Sequence, residues 1–297
     1  MQKPTTSRRS FIRQLALVAG GVAIPSSLRE KVVAQAQPTN EEICQRKFAL
    51  AVRESLHERP IGEVMIAVGV SFLGTRYVAN ALETPGDEHL VVNLQGLDCV
   101  TFVENTLTLS RCIKLGSHTF EDYRKQLQLI RYRDGVIDKY PSRLHYFSDW
   151  IDDNEKKSIV RNVSQEIGGA VFEKKLSFMS MHPAAYKQLA NKVYLERIKE
   201  TESVINTRQH YFAPKEQLAN AQEKIESGDI IGLTTSLEGL DIAHTGIAIR
   251  ANGVLKYLHA PLSKGEVQIT EESLVDYLAS HKTQTGLMVA RPLEPVL

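Results

Sequence analysis

The dipeptide Asn252-Gly253 lies between two runs of period-two patterning, Ala243 to Arg250 and Val254 to His259. An Asn-Gly pair in that setting supplies the positive φ angles of a two-residue turn, so the flanking runs are expected to pair as an antiparallel hairpin. The same patterning surrounds them. Gly228 to Leu233 reads as a strand, Gly265 to Ile269 as another, Thr270 to Leu278 as a helix and Gly286 to Ala290 as a last strand.

Before Asn220 the spacing is helical instead. Glu41 to His57 carries apolar residues at Ile43, Phe48, Leu50, Ala51 and Leu56, the stripe of an amphipathic helix. Pro60 to Phe72 reads as a second helix, with Pro60 suited to its first turn. Leu90 to Leu94 reads as a short buried strand or extended segment. Asp98 is a natural N-cap for a long helix running from Gly96-Leu97-Asp98-Cys99 to about Lys114, which Gly116 stops. Phe120 to Ile130 is a further helix, residues 131–150 a long loop, and Pro183 to Ala190 and Val193 to Thr201 are helices. Helices first and an antiparallel sheet after predict an α+β fold, a single domain over 37–297 with a helical N-terminal part.

The first 36 residues stand apart. Ser7-Arg8-Arg9-Ser10-Phe11-Ile12-Arg13 is close to a twin-arginine pattern, and an apolar stretch, Leu15 to Ile24, follows it. That stretch is too short to span a bilayer. Ala34-Gln35-Ala36 offers small residues where a signal peptidase reads, so cleavage after Ala36 is expected. These features predict export to the periplasm or another extracytoplasmic space through the twin-arginine machinery, with no stable membrane insertion of the cleaved chain. The segment carries six basic residues, Lys3, Arg8, Arg9, Arg13, Arg29 and Lys31, against Glu30 alone. With a formal charge of +1 for the whole, the remainder is mildly acidic. Nucleic-acid binding, which depends on neutralising phosphates, has no basic run to rest on.

Three cysteines are present, Cys44, Cys99 and Cys112, an odd number for an oxidising compartment. Cys44 and Cys112 fall at core positions of helices and read as small hydrophobes; a disulfide between them stays open. Cys99 falls in the first turn of its helix, where unpaired backbone N–H groups lower a thiol pKa and can face an oxyanion. His244 begins one strand of the hairpin and His259 ends the other. With the turn centred near 252, residue 244 pairs with about 260 or 261, and a bulge could shift that by one or two positions. Two histidines at one end of a hairpin can act as a base and its orienter, and Cys99 completes a Cys-His-His relay. In the 131–150 loop, Arg143, His145, Tyr146 and Trp150 form a polar-aromatic cluster suited to sugars and carboxylates. No His-Glu-x-x-His and no glycine-rich phosphate loop occurs, so neither a zinc site nor nucleotide use has support, and no metal or cofactor is expected.

Asp98-Cys99, Gly228-Asp229-Ile230-Ile231, His244-Thr245-Gly246-Ile247-Ala248-Ile249 and Tyr257-Leu258-His259-Ala260, in that order, resemble the NlpC-like branch of papain-fold cell-wall hydrolases. Val100-Thr101-Phe102 replaces the usual Ser-Gly-Phe after the cysteine. That departure, with LQGLDCVTFVE at 94–104, SRLHYFSDW at 142–150 and GLDIAHTGI at 239–247, is similar to the narrower N-acetylmuramoyl-L-alanine amidase-like subfamily. The resemblance implies a papain-like fold with the Cys helix packed on the sheet that bears the histidines. It implies Cys99 as nucleophile, His244 as base and His259 as the orienting third member, with Asp98, Arg143, His145 and Tyr146 as candidate substrate contacts. The implied partner is peptidoglycan or a muropeptide, cut between N-acetylmuramic acid and L-Ala. Two alternatives remain at this level: an endopeptidase of the same fold that cuts between D-Glu and diaminopimelate, and a catalytically silent muropeptide-binding protein.

Overall fold

A computed structural model describes residues 37–296. The twin-arginine segment with Arg8 and Arg9, and the cleavage position after Ala36, lie outside the described residues. Five helices come first: α1 Asn40–Arg53, α2 Ile61–Val70, α3 Cys99–Lys114, α4 Phe120–Arg131 and α5 Phe147–Lys156. Then follow β1 Val160–Asn162, β2 Ala170–Val171, α6 Phe178–Met181, α7 Lys192–Ile205, β3 Tyr211–Pro214 and α8 Leu218–Ala221. The sheet is completed by β4 Ile230–Thr235, β5 Ile242–Ala251, β6 Val254–His259, β7 Gln268–Ile269 and, after α9 Leu274–Ser280, β8 Gln284–Pro292. The strand order is β2-β3-β8-β4-β5-β6-β7, with β1 also on β8. Every pairing is antiparallel, and the α+β expectation is met. No helix among the described residues is long and apolar enough to cross a membrane.

Alternation along the strands gives the sheet two apolar faces. Ile230, Ile247, Ile249, Leu258, Met288 and Ala290 join the large core built with α1 to α5. Ile231, Leu233, Ala248, Leu255, Tyr257, Leu287 and Val289 face a second core closed by α8 and α9. The sheet is therefore covered on both sides, as a strand burying its even and odd residues alike requires. A third, smaller cluster joins Tyr140 and Tyr146 to Leu176, Met179, Leu189, Ile198 and Ile205.

Local chemistry explains the boundaries. Thr39 and Glu42 form a reciprocal capping box at the start of α1. Asp98 does the same for α3: its carboxylate accepts from Thr101 N–H at 2.8 Å, and the Thr101 hydroxyl accepts from Asp98 N–H at 2.9 Å. Asn252 and Gly253 sit at φ 52° and 81°, a two-residue turn with both centres left-handed. The register that follows pairs Ala251 with Val254 and Gly246 with His259.

Two expectations need correction, and one resolves between its two alternatives. Leu90 to Leu94 takes the alternative without strand pairing, and three of its backbone groups are satisfied by side chains. Asn40 donates to Val92 O and accepts from Leu94 N–H, and Arg131 donates to Val91 O. The 131–150 segment is not all loop, because α5 begins at Phe147 and buries Phe147, Trp150 and Ile151, one helical face at spacing 3 and 4. Pro183 to Ala190 forms two short 3-10 turns rather than one helix.

Candidate active site

Cys99 opens α3 and is the half-exposed cysteine; Cys44 and Cys112 are buried, and all three are free thiols. The side chain lines a cleft of about 140 Å³ together with His244 and Thr245 of β5, Glu104 of α3, and the wall Leu144, His145, Tyr146, Phe147 and Trp150. The backbone N–H groups of Thr245, Val100 and Cys99 itself favour the thiolate. They do not prevail. Removal from water, joined by the negative charge of Asp98, pushes the thiol up to about 12. The expectation that the helix start would lower this pKa is thus corrected: desolvation outweighs three N–H dipoles here.

His244 and His259 are brought together as the hairpin predicts. His259 sits opposite Gly246, so His244 is its diagonal neighbour, two residues along on the same face. His244 Nε2 and His259 Nδ1 are 2.8 Å apart. Gly246 makes this possible: a Cβ there would stand 2.8 Å from the His259 Cβ and 2.7 Å from Leu258 O. Removal from water lowers His244 to about 4, with His281 adding to the effect. The same cause, followed by His244 and His281, lowers His259 to about 3. Near neutral pH the site therefore holds a neutral thiol and two neutral imidazoles.

The four candidate substrate contacts sit differently. Asp98 is half-buried and committed to its helix: one carboxylate oxygen caps Thr101 and the other accepts from Ala81 N–H at 3.3 Å. Arg143 is buried behind the cleft, where it donates to Leu82 O at 2.9 Å, bonds the Glu83 carboxylate and lies 4.8 Å above the Tyr140 ring. Tyr146 lines the cleft, but its hydroxyl donates to Glu202 at 2.6 Å and accepts from Met179 N–H at 3.0 Å. His145 also lines the cleft, its Nε2–H donating to Tyr140 O at 3.0 Å. Removal from water, then Arg143, lowers its pKa to about 3.

Three residues in or near the site were not singled out as candidates from the sequence. Asp241 ties α5 to the start of β5, accepting from Ser148 N–H at 2.8 Å and from the Ser148 hydroxyl at 2.9 Å. Glu104, 2% exposed, meets Arg131 at 2.7 Å in an ion pair buried on both sides. Tyr77 lies within electrostatic reach of Cys99: burial, then the charges of Cys99 and Asp98, raise its phenol and keep it a proton donor. Each depends on tertiary approach rather than on local pattern. Among the described residues no group of three or more His, Cys, Asp or Glu side chains is placed to hold a metal ion.

A family model described as N-acetylmuramoyl-L-alanine amidase-like matches residues 67–286. A solved N-acetylmuramoyl-L-alanine amidase from Bacteroides uniformis is 36% identical with a TM-score of 0.75, the match covering 78% of this chain and 99% of that one. A Bacteroides fragilis structure described as a putative xylanase is 37% identical with a TM-score of 0.71, over 76% of this chain and 99% of that one. A Legionella pneumophila protein at 23% identity shares the fold, with a TM-score of 0.62 over 86% of this chain and 97% of that one. No curated protein matches the chain significantly.

Proposed function

The chain belongs to the N-acetylmuramoyl-L-alanine amidase-like family, and from that membership and the cleft geometry we propose a cysteine amidase that separates the stem peptide of peptidoglycan from its sugar. The observation that carries the mechanism is the 2.8 Å contact between His244 Nε2 and His259 Nδ1 beside a cleft that Cys99 and His244 share. With Nε2 engaged, His244 Nδ1 is the nitrogen left for Cys99. A nucleophile on a helix start, facing a base on an antiparallel sheet, supports the papain-like, NlpC-like reading of the fold.

The steps follow from the neutral resting state. Substrate carbonyl carbon approaches Cys99 Sγ as the thiol proton moves to His244 Nδ1, so that thiolate is formed only in the course of attack. His259 holds the resulting imidazolium through its Nδ1 lone pair. The tetrahedral oxyanion meets backbone N–H at the start of α3. Collapse breaks the C–N bond, and the departing amine of L-Ala takes the proton from His244. Water, deprotonated by the same His244, then hydrolyses the thioester and releases the lactyl carboxylate of N-acetylmuramic acid.

Mass spectrometry of a digested disaccharide-tripeptide tests the bond. Amidase action yields the free disaccharide and intact L-Ala-D-Glu-diaminopimelate. Products cut only between D-Glu and diaminopimelate would leave the Cys-His-His chemistry in place and replace the amidase by an endopeptidase. Export by the twin-arginine route to the periplasm belongs to the same proposal, supported by Arg8-Arg9 and Ala34-Gln35-Ala36.

A further inference from the structure

His259 is 0% exposed, and its two ring nitrogens are in different situations. Nδ1 faces His244 Nε2 at 2.8 Å, whereas Nε2 has no hydrogen-bond partner among the described residues. A buried polar nitrogen is rarely left without one. Two aromatic rings lie against the imidazole. Tyr257 is tilted by 41° at 4.7 Å between centroids, and Tyr277 stands at 90° and 5.3 Å. A perpendicular pair sets the edge of one ring against the π face of the other, and where the edge carries an N–H the face can hold it.

The Tyr277 ring is itself fixed. It rises from α9, whose Leu274 and Leu278 are buried in the second core and whose start is capped by Ser273. The His281 ring also lies against it, at 4.4 Å with a tilt of 36°. His281 Nδ1–H donates to Tyr277 O at 2.7 Å, so the stacked ring is anchored to the same turn.

We propose that the face of Tyr277 accepts the Nε2–H of His259 and so decides which nitrogen of His244 is basic, making Tyr277 a positioning residue of the relay. The consequence runs through the two imidazoles in order. A neutral imidazole carries one proton. With it on His259 Nε2, Nδ1 is a bare acceptor, and His244 must donate its own proton from Nε2. His244 Nδ1 is then bare and can receive the proton of Cys99. The opposite tautomer, with His259 protonated on Nδ1, would place the His244 proton on Nδ1, against the thiol, and block the base. This rests on the reading of His244 as the base.

Nitrogen NMR of the protein with 15N-labelled histidine, at neutral pH, tests it, with His259→Asn assigning the signal. The expected wild-type spectrum shows His259 protonated at Nε2 and bare at Nδ1. Tyr277→Leu removes the π face; it is expected to bring in the Nδ1–H form and to lower kcat about tenfold with KM within about twofold. Tyr277→Phe keeps the ring and is expected to restore the wild-type spectrum and most of the rate. A wild-type His259 protonated at Nδ1 overturns the proposal, even if the leucine variant fails to fold. So does a Tyr277→Leu protein with both the tautomer and kcat of the wild type. A fully active His244→Ala would instead overturn the base while leaving the ring contact standing, so the two failures are separate.

Discussion

His259 lies directly opposite Gly246 across the β5–β6 ladder, yet its imidazole bonds His244, the residue two places nearer the strand start. The diagonal is open because position 246 carries no side chain. The base and its support are therefore tied through one strand pair, whereas the nucleophile comes from a helix in the other half of the chain.

That division predicts unequal losses. Cys99→Ala and His244→Ala should each abolish turnover, and His259→Ala should lower kcat by about 10²–10⁴ because water can partly replace an orienting group. Steady-state assays on variants with unchanged circular dichroism decide it. His244→Ala with full activity would overturn the assignment.

Alkylation should find Cys99 and spare the others. Cys44 and Cys112 are fully buried, whereas Cys99 opens on the cleft. Because burial pushes the Cys99 thiol up to about 12, its modification rate should keep rising as the pH climbs above neutral rather than level off below it. Adduct mapping by mass after iodoacetamide treatment at several pH values reads both points. Earlier labelling of Cys112, or a plateau below pH 7, would contradict them.

Acid should weaken the fold. The folded pKa values of His244, His259 and His145 are about 4, about 3 and about 3, against an ordinary 6.5. Between those limits the unfolded chain binds the protons that the folded one refuses, so stability falls as pH drops from about 6.5 to about 4. Above 6.5 these groups are neutral in both states and contribute no slope. Denaturant midpoints measured across this range should show it, and His145→Gln should remove up to about one proton from the slope. An unchanged slope in that variant would show that His145 titrates normally.

The Glu104–Arg131 pair offers a stability test read by unfolding rather than by turnover. Both partners are buried, so Arg131→Met alone strands a carboxylate and should cost about 3–5 kcal/mol. Adding Glu104→Gln should return part of that loss. Urea denaturation of the single and double variants measures the difference; equal midpoints would mean that the pair is not coupled.

Export has its own assay. Replacing Arg8 and Arg9 together by lysine should leave the protein in the cytoplasm. Periplasmic delivery of the double variant at the wild-type level would reject the twin-arginine route.

Where the sequence was informative, the controlling chemistry was local. Asn252-Gly253 sets the hairpin, and with it the histidine pair, because a two-residue turn admits one register. Asp98 marks the start of α3 because a cap acts within three residues. The reading faltered where partners come from far along the chain. Val91 and Val92 look like a strand, but their carbonyls are taken by Arg131 and Asn40. Arg143 and Tyr146 have the right chemistry for a ligand, yet Glu83 and Glu202 already occupy their polar ends. The thiol pKa depended on desolvation by the surrounding fold, which no helix start by itself reveals.

The two-residue turn also acts as a ruler. Loop closure costs grow only slowly with length, so a connection remote from the cleft could lengthen without disturbing it. Asn252-Gly253 cannot. One residue inserted there, with the pairing kept, would advance β6 by a single step and turn His259 toward the helical layer, bringing Leu258 to its place. The spacing of 244 and 259 is thus an arithmetic of parity, and this turn is not free to vary in length by one residue.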